Sequence, residues 1–494
     1  MSGVLALLPA LPLAGAVVLL LLPAARRDAA ALGLGRGVAA AVLVLAVLAR
    51  DAPDVDVPWV PALGLRLHLG VDGVSWPLLL LTGALVLLCL QHLVRGLPAP
   101  GRPGALVGLL LLLEAGVLAT FLAQDLLLFF VAFETVLIPM YFVIAVWGGD
   151  GRGSARPAAQ VFVLYTLLGS VVMLAGFLLV RARTGTSDLQ ALAERGGAGM
   201  STTVQVVAFL LVGLGLAVKA PMWPLHTWLP AAHTAAPTVG SVLLAGVLLK
   251  LGTYGLVRTA LPVLPEGARV LAPYLAALAV VGILWGALAC LAQRDLKRLV
   301  AYSSVSHMGF VLLGIATLTE AGVNGALFAN VAHGLITGLL FLLAGAVKER
   351  HGTTDMDELG GGLYARAPRL GGVLALAAVA SLGLPGLAGF WGEMLAMLGA
   401  YRPAEGLDRG LYLVLMALAG LGTVLAAAYL LRMVRRVAQG RGAAARAERP
   451  VLDAGPAEVA LWAPLVAATL LLGLWPALLL DVTAEPVRAL LGGG

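Results

Sequence analysis

GLGLAVKAPMWPLHTWLP, residues 213–230, sets a lysine inside an apolar run and follows it with three prolines. Upstream of Lys219 the next charged residue is Arg195; downstream it is Lys250. A cation in hydrocarbon costs about 2.5–3.5 kcal/mol on insertion scales. Pro221, Pro224 and Pro230 each remove a backbone donor and crowd the preceding turn. In a bilayer such freed backbone groups are tolerated only where protein or water meets them. The stretch therefore predicts a helix that breaks within the membrane, beside water and a titratable amine. It also sets the fold class as an all-α polytopic membrane protein.

The rest of the chain agrees. Of 494 residues, 61% are hydrophobic and 12% charged, and the mean hydropathy is +0.99. A soluble protein of this length carries far more charge. Apolar windows of bilayer-spanning length recur fourteen times: 3–23, 31–50, 74–95, 104–123, 125–147, 158–180, 203–222, 240–261, 270–292, 299–318, 321–346, 371–400, 410–431 and 457–481. The longest polar connections are 51–72, 181–202, 347–370 and 432–456, which leave no room for a soluble domain. The first window reads as a membrane span rather than a cleavable leader, because Arg26 and Arg27 follow it instead of preceding it.

That order predicts both termini outside. With odd helices running inward, twenty loop Lys and Arg fall on the inner side and ten on the outer, as the positive-inside rule requires. Arg152, Arg441, Arg446 and Arg449 are among the inner twenty. Basic loops facing an anionic leaflet also account for the net charge of +6 without nucleic acid. Cys89 and Cys290 lie in separate windows and match no metal or redox spacing. No glycine-rich phosphate loop is present, so neither a metal nor a cofactor is expected in this chain.

Removing loop charges leaves Lys219 and Lys250 within apolar windows, with Glu134, Glu393 and Glu114. His307 and His333 also lie deep. Intramembrane ionisable groups usually face the bundle interior and mark an ion path. Glu114 stands in LLLLLEAGVLAT with no break beside it, and a structural and a functional role stay equally open. A second break is written in SLGLPGLAGFWGEM, residues 381–394. These are the seventh and twelfth windows, five apart. Two five-helix units would then lie inverted, the arrangement in which paired broken helices mark a transport site. Lys219 precedes the first break, where a helix end is negative, and Glu393 follows the second, where a helix start is positive. Burial disfavours the charged form of such groups. Moving one charge across 100 mV involves about 2.3 kcal/mol. Groups of this kind are suited to load and unload a proton against a membrane potential.

FFVAFETVLIPMYFVIAVWGG (129–149), VKAPMWPLHTWLPAAHTAAPTVGSVLLAGVLLKLGTYGLVR (218–258), RDLKRLVAYSSVSHMGFVLLG (294–314), NVAHGLITGLLFLLAG (330–345) and SLGLPGLAGFWGEM (381–394) resemble the antiporter-like membrane subunits of respiratory complex I. The resemblance runs from about 104 to 435 and is strongest to the subunit M branch. It implies three N-terminal helices (1–103), a first repeat of helices 4–8 (104–261), an inverted second repeat of helices 9–13 (262–440) and helix 14 (441–494). It implies that Glu134 pairs with Lys219, that Lys250 links the halves, and that His307 and His333 continue a hydrated axis to Glu393. Ser303, Ser304, Ser306 and Thr337 are candidates to hold water, or merely to bond back to their own helix. His226 and His233 flank the first break, as gates or as loop caps.

The implied function is proton translocation from cytoplasm to outside across the inner (plasma) membrane, driven by redox chemistry in other subunits. The implied partners are subunits L and N on either side, small membrane subunits and the bilayer, with no direct NADH or quinone contact. A subunit of a multi-subunit Na+/H+ antiporter is the nearest rival, followed by the membrane arm of an energy-converting hydrogenase. A stand-alone secondary transporter and a structural spacer remain alternatives from other classes. Where many family members carry asparagine in a GxxGNF pattern, this chain reads GLAGFWGE, which leaves the hydration of helix twelve open.

Overall fold

Lipid offers no hydrogen bonds, so each apolar window must close its own backbone as a helix. The structure, a computed structural model, describes residues 3–149, 155–440 and 451–492; Arg152, Arg441, Arg446 and Arg449 lie outside the described residues. Among the described residues, thirteen helices are long and apolar enough to cross a membrane: Val4–Leu21, Ala24–Leu48, Trp76–Leu93, Pro103–Leu122, Leu126–Trp147, Ala155–Thr184, Thr202–Lys219, Thr238–Ala260, Pro265–Ala292, Leu296–Ala316, Glu320–His351, Arg409–Val437 and Pro456–Leu474. The remaining window, twelfth in order, is two half-helices, Pro368–Ser381 and Ala388–Tyr401. Each half is too short to span alone; stacked end to end they complete a fourteenth crossing.

Four crossings depart from a continuous helix. The seventh stops at Lys219 and resumes as Trp228–Ala235. Pro221 and Pro224 lie in the gap, and the Trp228 indole donates to the carbonyl of Val218 at 3.0 Å. Pro230 does not break the chain again. It sits third in the resumed helix, where an N–H has no intrahelical partner to lose. The twelfth crossing breaks over 382–387, where Gly383 and Gly386 take φ of 79° and 91°, values that suit glycine. The fifth crossing is interrupted at Val136, between Leu126–Thr135 and Leu137–Trp147. Pro139 accounts for it, because its ring clashes with the carbonyl four residues back. The eighth contains two π-helical turns, Leu244–Leu248 and Leu256–Ala260.

Matching clasps relate the two halves. Asp125 caps the fifth crossing through the N–H groups of Leu127 and Leu128. Its other oxygen accepts from Ser187 Oγ at 2.5 Å, and Leu126 N–H donates to Ser187 O at 2.8 Å. Asp295 caps the tenth crossing through Arg298 N–H and accepts from Thr354 Oγ1, while Leu296 N–H donates to Thr354 O at 2.8 Å. The crossings are five apart, so the two clasps sit on opposite faces of the bundle.

The eighth crossing is wholly enclosed, and the tenth and eleventh nearly so. Without a hydrophobic drive between helices in lipid, close backbone approach stabilises such packing. At Gly252 a Cβ would come within 2.5 Å of Leu216 O, so the eighth crossing presses onto the seventh just before its break. At Gly392 a Cβ would meet Ala329 at 2.6 Å, which seats the twelfth against the eleventh.

Two elements were not legible as such in the sequence. Val55–Val60 and Leu65–Leu69 form an antiparallel hairpin within the 51–72 connection, with a register shift between Pro58 and Val60. The fourteenth crossing ends at Leu474 rather than 481, and Ala477–Leu490 follows as a separate helix whose Val482 and Pro486 lie against Gly73, just past the hairpin. That helix is tied down by Thr483 Oγ1 to Asn324 Oδ1 (2.6 Å) and Arg488 to Glu320 (3.1 Å).

Arg258, counted among loop cations from sequence, lies in the eighth crossing and donates to Asp72 at 2.5 Å and to Gln124 at 2.8 Å. Burial opposes ionisation of Asp72. The Arg258 charge and the N–H groups of Ser75 and Val74 outweigh it and hold the carboxyl below the usual aspartate range. A carboxyl with a depressed folded pKa contributes stability above its unfolded value of about 3.9 and loses it as pH falls through the folded value. Asp72→Asn, which takes the paired charge from Arg258 and leaves it Gln124, is expected to destabilise the purified protein by about 1–3 kcal/mol at pH 7. Thermal unfolding across pH checks this, and the deficit should shrink below about pH 4.

Candidate functional site

The enclosed eighth, tenth and eleventh crossings carry Lys250, His307 and His333, and the broken crossings beside them carry Lys219 and Glu393. Lys250 follows the first π-helical turn. That turn leaves the Ala245 carbonyl without its usual i+4 donor, and Lys250 Nζ bonds it. π-bulges recur at functional sites for this reason. The same ammonium is 2.7 Å from His333 Nδ1 on the eleventh crossing. One turn away, Thr253 Oγ1 donates to Asn330 Oδ1 at 3.0 Å.

From His333 the series continues. Its ring centroid lies 6.1 Å from that of His307 on the tenth crossing. His307 Nδ1 is 3.0 Å from Glu393 Oε1. His307 Nε2 meets Ser381 Oγ at 3.1 Å and Tyr429 OH at 3.4 Å, and Thr423 Oγ1 donates to Glu393 Oε2 at 3.4 Å. Both imidazoles line a cavity of about 30 Å³, together with Thr337, Ser381 and Glu393 among others. The walls are mainly apolar, but the volume holds one or two waters and the polar groups of His307, His333, Ser381 and Glu393 are there to bond them. Glu393 lies in the second turn after the break, past the strongest reach of the helix dipole. His307 and Thr423 are its partners instead.

At the other end, Lys219 is the last residue of its half-helix and is buried. Its Nζ stands over the Phe133 ring at 4.9 Å and the Phe162 ring at 5.8 Å, a cation–π placement that offsets part of the lost hydration. Glu134, half-buried at the interruption of the fifth crossing, is within electrostatic reach of Lys219 and of the Ser170 hydroxyl. Two clusters thus result: Glu134 with Lys219, and Lys250, His333, His307 and Glu393. All six sequence candidates fall into them.

The accompanying residues divide. Ser303 and Ser304 bond back to Val300 O on their own helix, and Ser306 reaches Ile283 O on the ninth crossing. Thr337 does line the cavity. Glu114 is 0% exposed, with neither carboxyl oxygen hydrogen-bonded. His226 faces the Tyr302 ring at 6.5 Å. His233 stacks flat on Phe341, centroids 4.6 Å apart. Sequence reasoning missed Ser170, Ser381, Thr423, Tyr429 and Asn330, neutral residues with no signal of their own within apolar windows. It also assigned Lys297 to a loop, whereas this lysine is 3% exposed in the first turn of the tenth crossing.

The fold recurs in known proteins. The family described as NADH:quinone oxidoreductase/Mrp antiporter, TM matches residues 123–424. NADH-quinone oxidoreductase subunit M of Rhodobacter capsulatus is 38% identical, over 99% of this chain and 96% of its own. That of Rickettsia bellii is 37% identical over 88% and 84%. Among solved structures, a chain of respiratory complex I from Thermus thermophilus with bound NADH superposes with TM-score 0.86 at 34% identity, covering 99% of this chain and all of that one. A chain of the Mrp complex from Dietzia sp. DQ12-45-1b gives TM-score 0.86 at 25% identity, over 99% and 97%. The chain belongs to the NADH:quinone oxidoreductase/Mrp antiporter transmembrane family, as a complex I antiporter-like membrane subunit of the subunit M kind.

Proposed function

We propose that this chain carries protons from the cytoplasm to the outside of the inner (plasma) membrane along Glu134, Lys219, Lys250, His333, His307 and Glu393. The observation that carries the reading is the series Lys250–His333–His307–Glu393, in hydrogen-bond contact at both ends and with one gap between the two rings beside a small cavity. Every group in it can hold or pass a proton, and water in the cavity bridges the one gap between rings. The redox energy comes from other subunits; this one works by electrostatics. A charge change at Glu134–Lys219 alters the field at Lys250, which takes or yields a proton and passes it to Glu393. The repeats are residues 104–261 and 262–440, preceded by 1–103 and followed by 441–494. Both termini face outward, and the neighbours are the related L and N subunits.

The likeness to an Mrp complex chain favours a second reading, Na+/H+ exchange. One experiment separates them. The assembled complex is reconstituted in vesicles and proton uptake is followed with and without Na+. Pumping independent of Na+ is expected. Glu393→Gln, which cannot titrate, should lower pumping by at least about tenfold, equivalent to about 1.4 kcal/mol in a barrier. NADH oxidation by a water-soluble acceptor should stay unchanged, which confirms assembly. Full pumping by that variant contradicts the reading, and strict Na+ dependence favours the second.

A further inference from the structure

Among the described residues, a cavity reaches toward the contact series from the face that carries the basic loops. About 640 Å³ opens between residues 92–100 after the third crossing, the link at 236–239, Lys297 on the tenth crossing, and Lys348 and Glu349 on the eleventh. At its inner end Lys297 Nζ donates to the carbonyl of Ala236 at 2.8 Å. Three residues before that carbonyl stands His233, 0% exposed, with neither ring nitrogen hydrogen-bonded. An imidazole buried with both nitrogens free has lost its hydration without return, which calls for an explanation. Its position supplies one. It is within electrostatic reach of Lys297 on the cavity side and of Lys250 and His333 on the interior side.

We propose that this cavity is the mouth through which Lys250 is loaded, with His233 as the proton carrier and Lys297 as the gate. The inference rests on reading Lys250 as a proton carrier. A hydronium in the cavity passes its proton, through water beyond Lys297, to the free basic nitrogen of His233, forming an N–H bond and leaving water. The opposite nitrogen then releases its own proton to the Lys250 amine through water, which becomes ammonium. A half-turn of the ring about Cβ–Cγ then turns the protonated nitrogen toward Lys250 and the free one toward the cavity, ready for the next proton. One proton enters, one leaves, and nothing is oxidised. While the Lys297 ammonium holds the Ala236 carbonyl, its charge repels a second cation from the neck. Its withdrawal opens the path.

The test uses the assembled complex in vesicles. Lys297→Met, which keeps the bulk and loses the charge, should raise passive proton leak under an imposed potential and lower the protons moved per NADH; Lys297→Arg should restore both toward the parent. A merely structural lysine would not produce a leak. His233→Leu should slow pumping by about a hundredfold, the low end of what a positioned proton carrier contributes, without a leak. Parental leak and pumping in both variants overturns the proposal, provided Lys250→Ala still abolishes pumping. If Lys250→Ala also pumps normally, the underlying reading fails instead. Should the Lys297 variants not assemble, Thr238→Cys reports on the mouth itself. A charged, membrane-impermeant maleimide should label it from the basic face only, against the buried Cys89 and Cys290. Protection from that face overturns the proposal.

Discussion

Lys250→Ala in the assembled complex loses proton pumping by about a hundredfold or more, the scale of a positioned proton-transfer group. Lys250 is 0% exposed, and its Nζ has two partners, Ala245 O and His333 Nδ1. Alanine removes the only amine in the series and leaves the imidazole without its neighbour. It also leaves the freed carbonyl of the π-helical turn unpaired, at a cost of about 1–3 kcal/mol to local stability. Lys250→Arg is not a rescue, because a planar guanidinium does not fit a site shaped for a point charge and does not deprotonate. Proton uptake per NADH oxidised in vesicles, with and without an uncoupler, is the measurement. An uncoupler restores electron transfer if only back-pressure limits the enzyme. It should fail to do so in Lys250→Ala, where the relay itself is missing.

Glu134→Gln should lower pumping by about tenfold or more, a barrier change of about 1.4 kcal/mol. Glutamine keeps the shape of the side chain beside the interruption at Val136 and removes only its ability to ionise. Lys219 is then a buried ammonium held by two aromatic faces with no carboxylate in reach. Its protonation no longer depends on a partner, so the switch at this end is fixed. Glu134→Asp restores the charge one methylene short and should recover part of the activity. Parallel assays of Lys219→Ala should show a loss of similar size, because each residue acts through the other.

Much of this was legible in the sequence for a physical reason. Hydrocarbon tolerates few charges and few prolines, so Lys219 beside Pro221 stood out at once, and so did Glu393 after Pro385. The fourteen apolar windows became fourteen crossings, the twelfth in two halves. The interruption at Val136 was not read, because Pro139 sits in an apolar window with no charge on its far side. The π-helical turn before Lys250 has no compositional mark at all. Lys297 was lost among its neighbours: RDLKR reads as a polar loop, yet the helix begins at Leu296 and turns that one side chain inward. The His307–Glu393 contact joins residues 86 apart, and only the fold brings them together. The helix Ala477–Leu490 was hidden by the apolar run that precedes it, since Trp475 and Pro476 divide what looked like one window.

Glu114 shows the limit of charge counting. It is as buried as Lys250 and has no partner among the described residues, whereas Lys250 has two. Burial alone therefore did not distinguish the members of the series. What distinguishes them is a titratable neighbour within hydrogen-bond range or one ring away, or an opposite charge within reach.

A density map of the assembled complex at a resolution that shows ordered water tests the relay most directly. Water filling the cavity between His307 and His333, and a file of water joining Lys219 to Lys250, is the expected result. A dry, apolar partition between those two lysines, or Glu134 and Glu393 turned toward lipid, contradicts it.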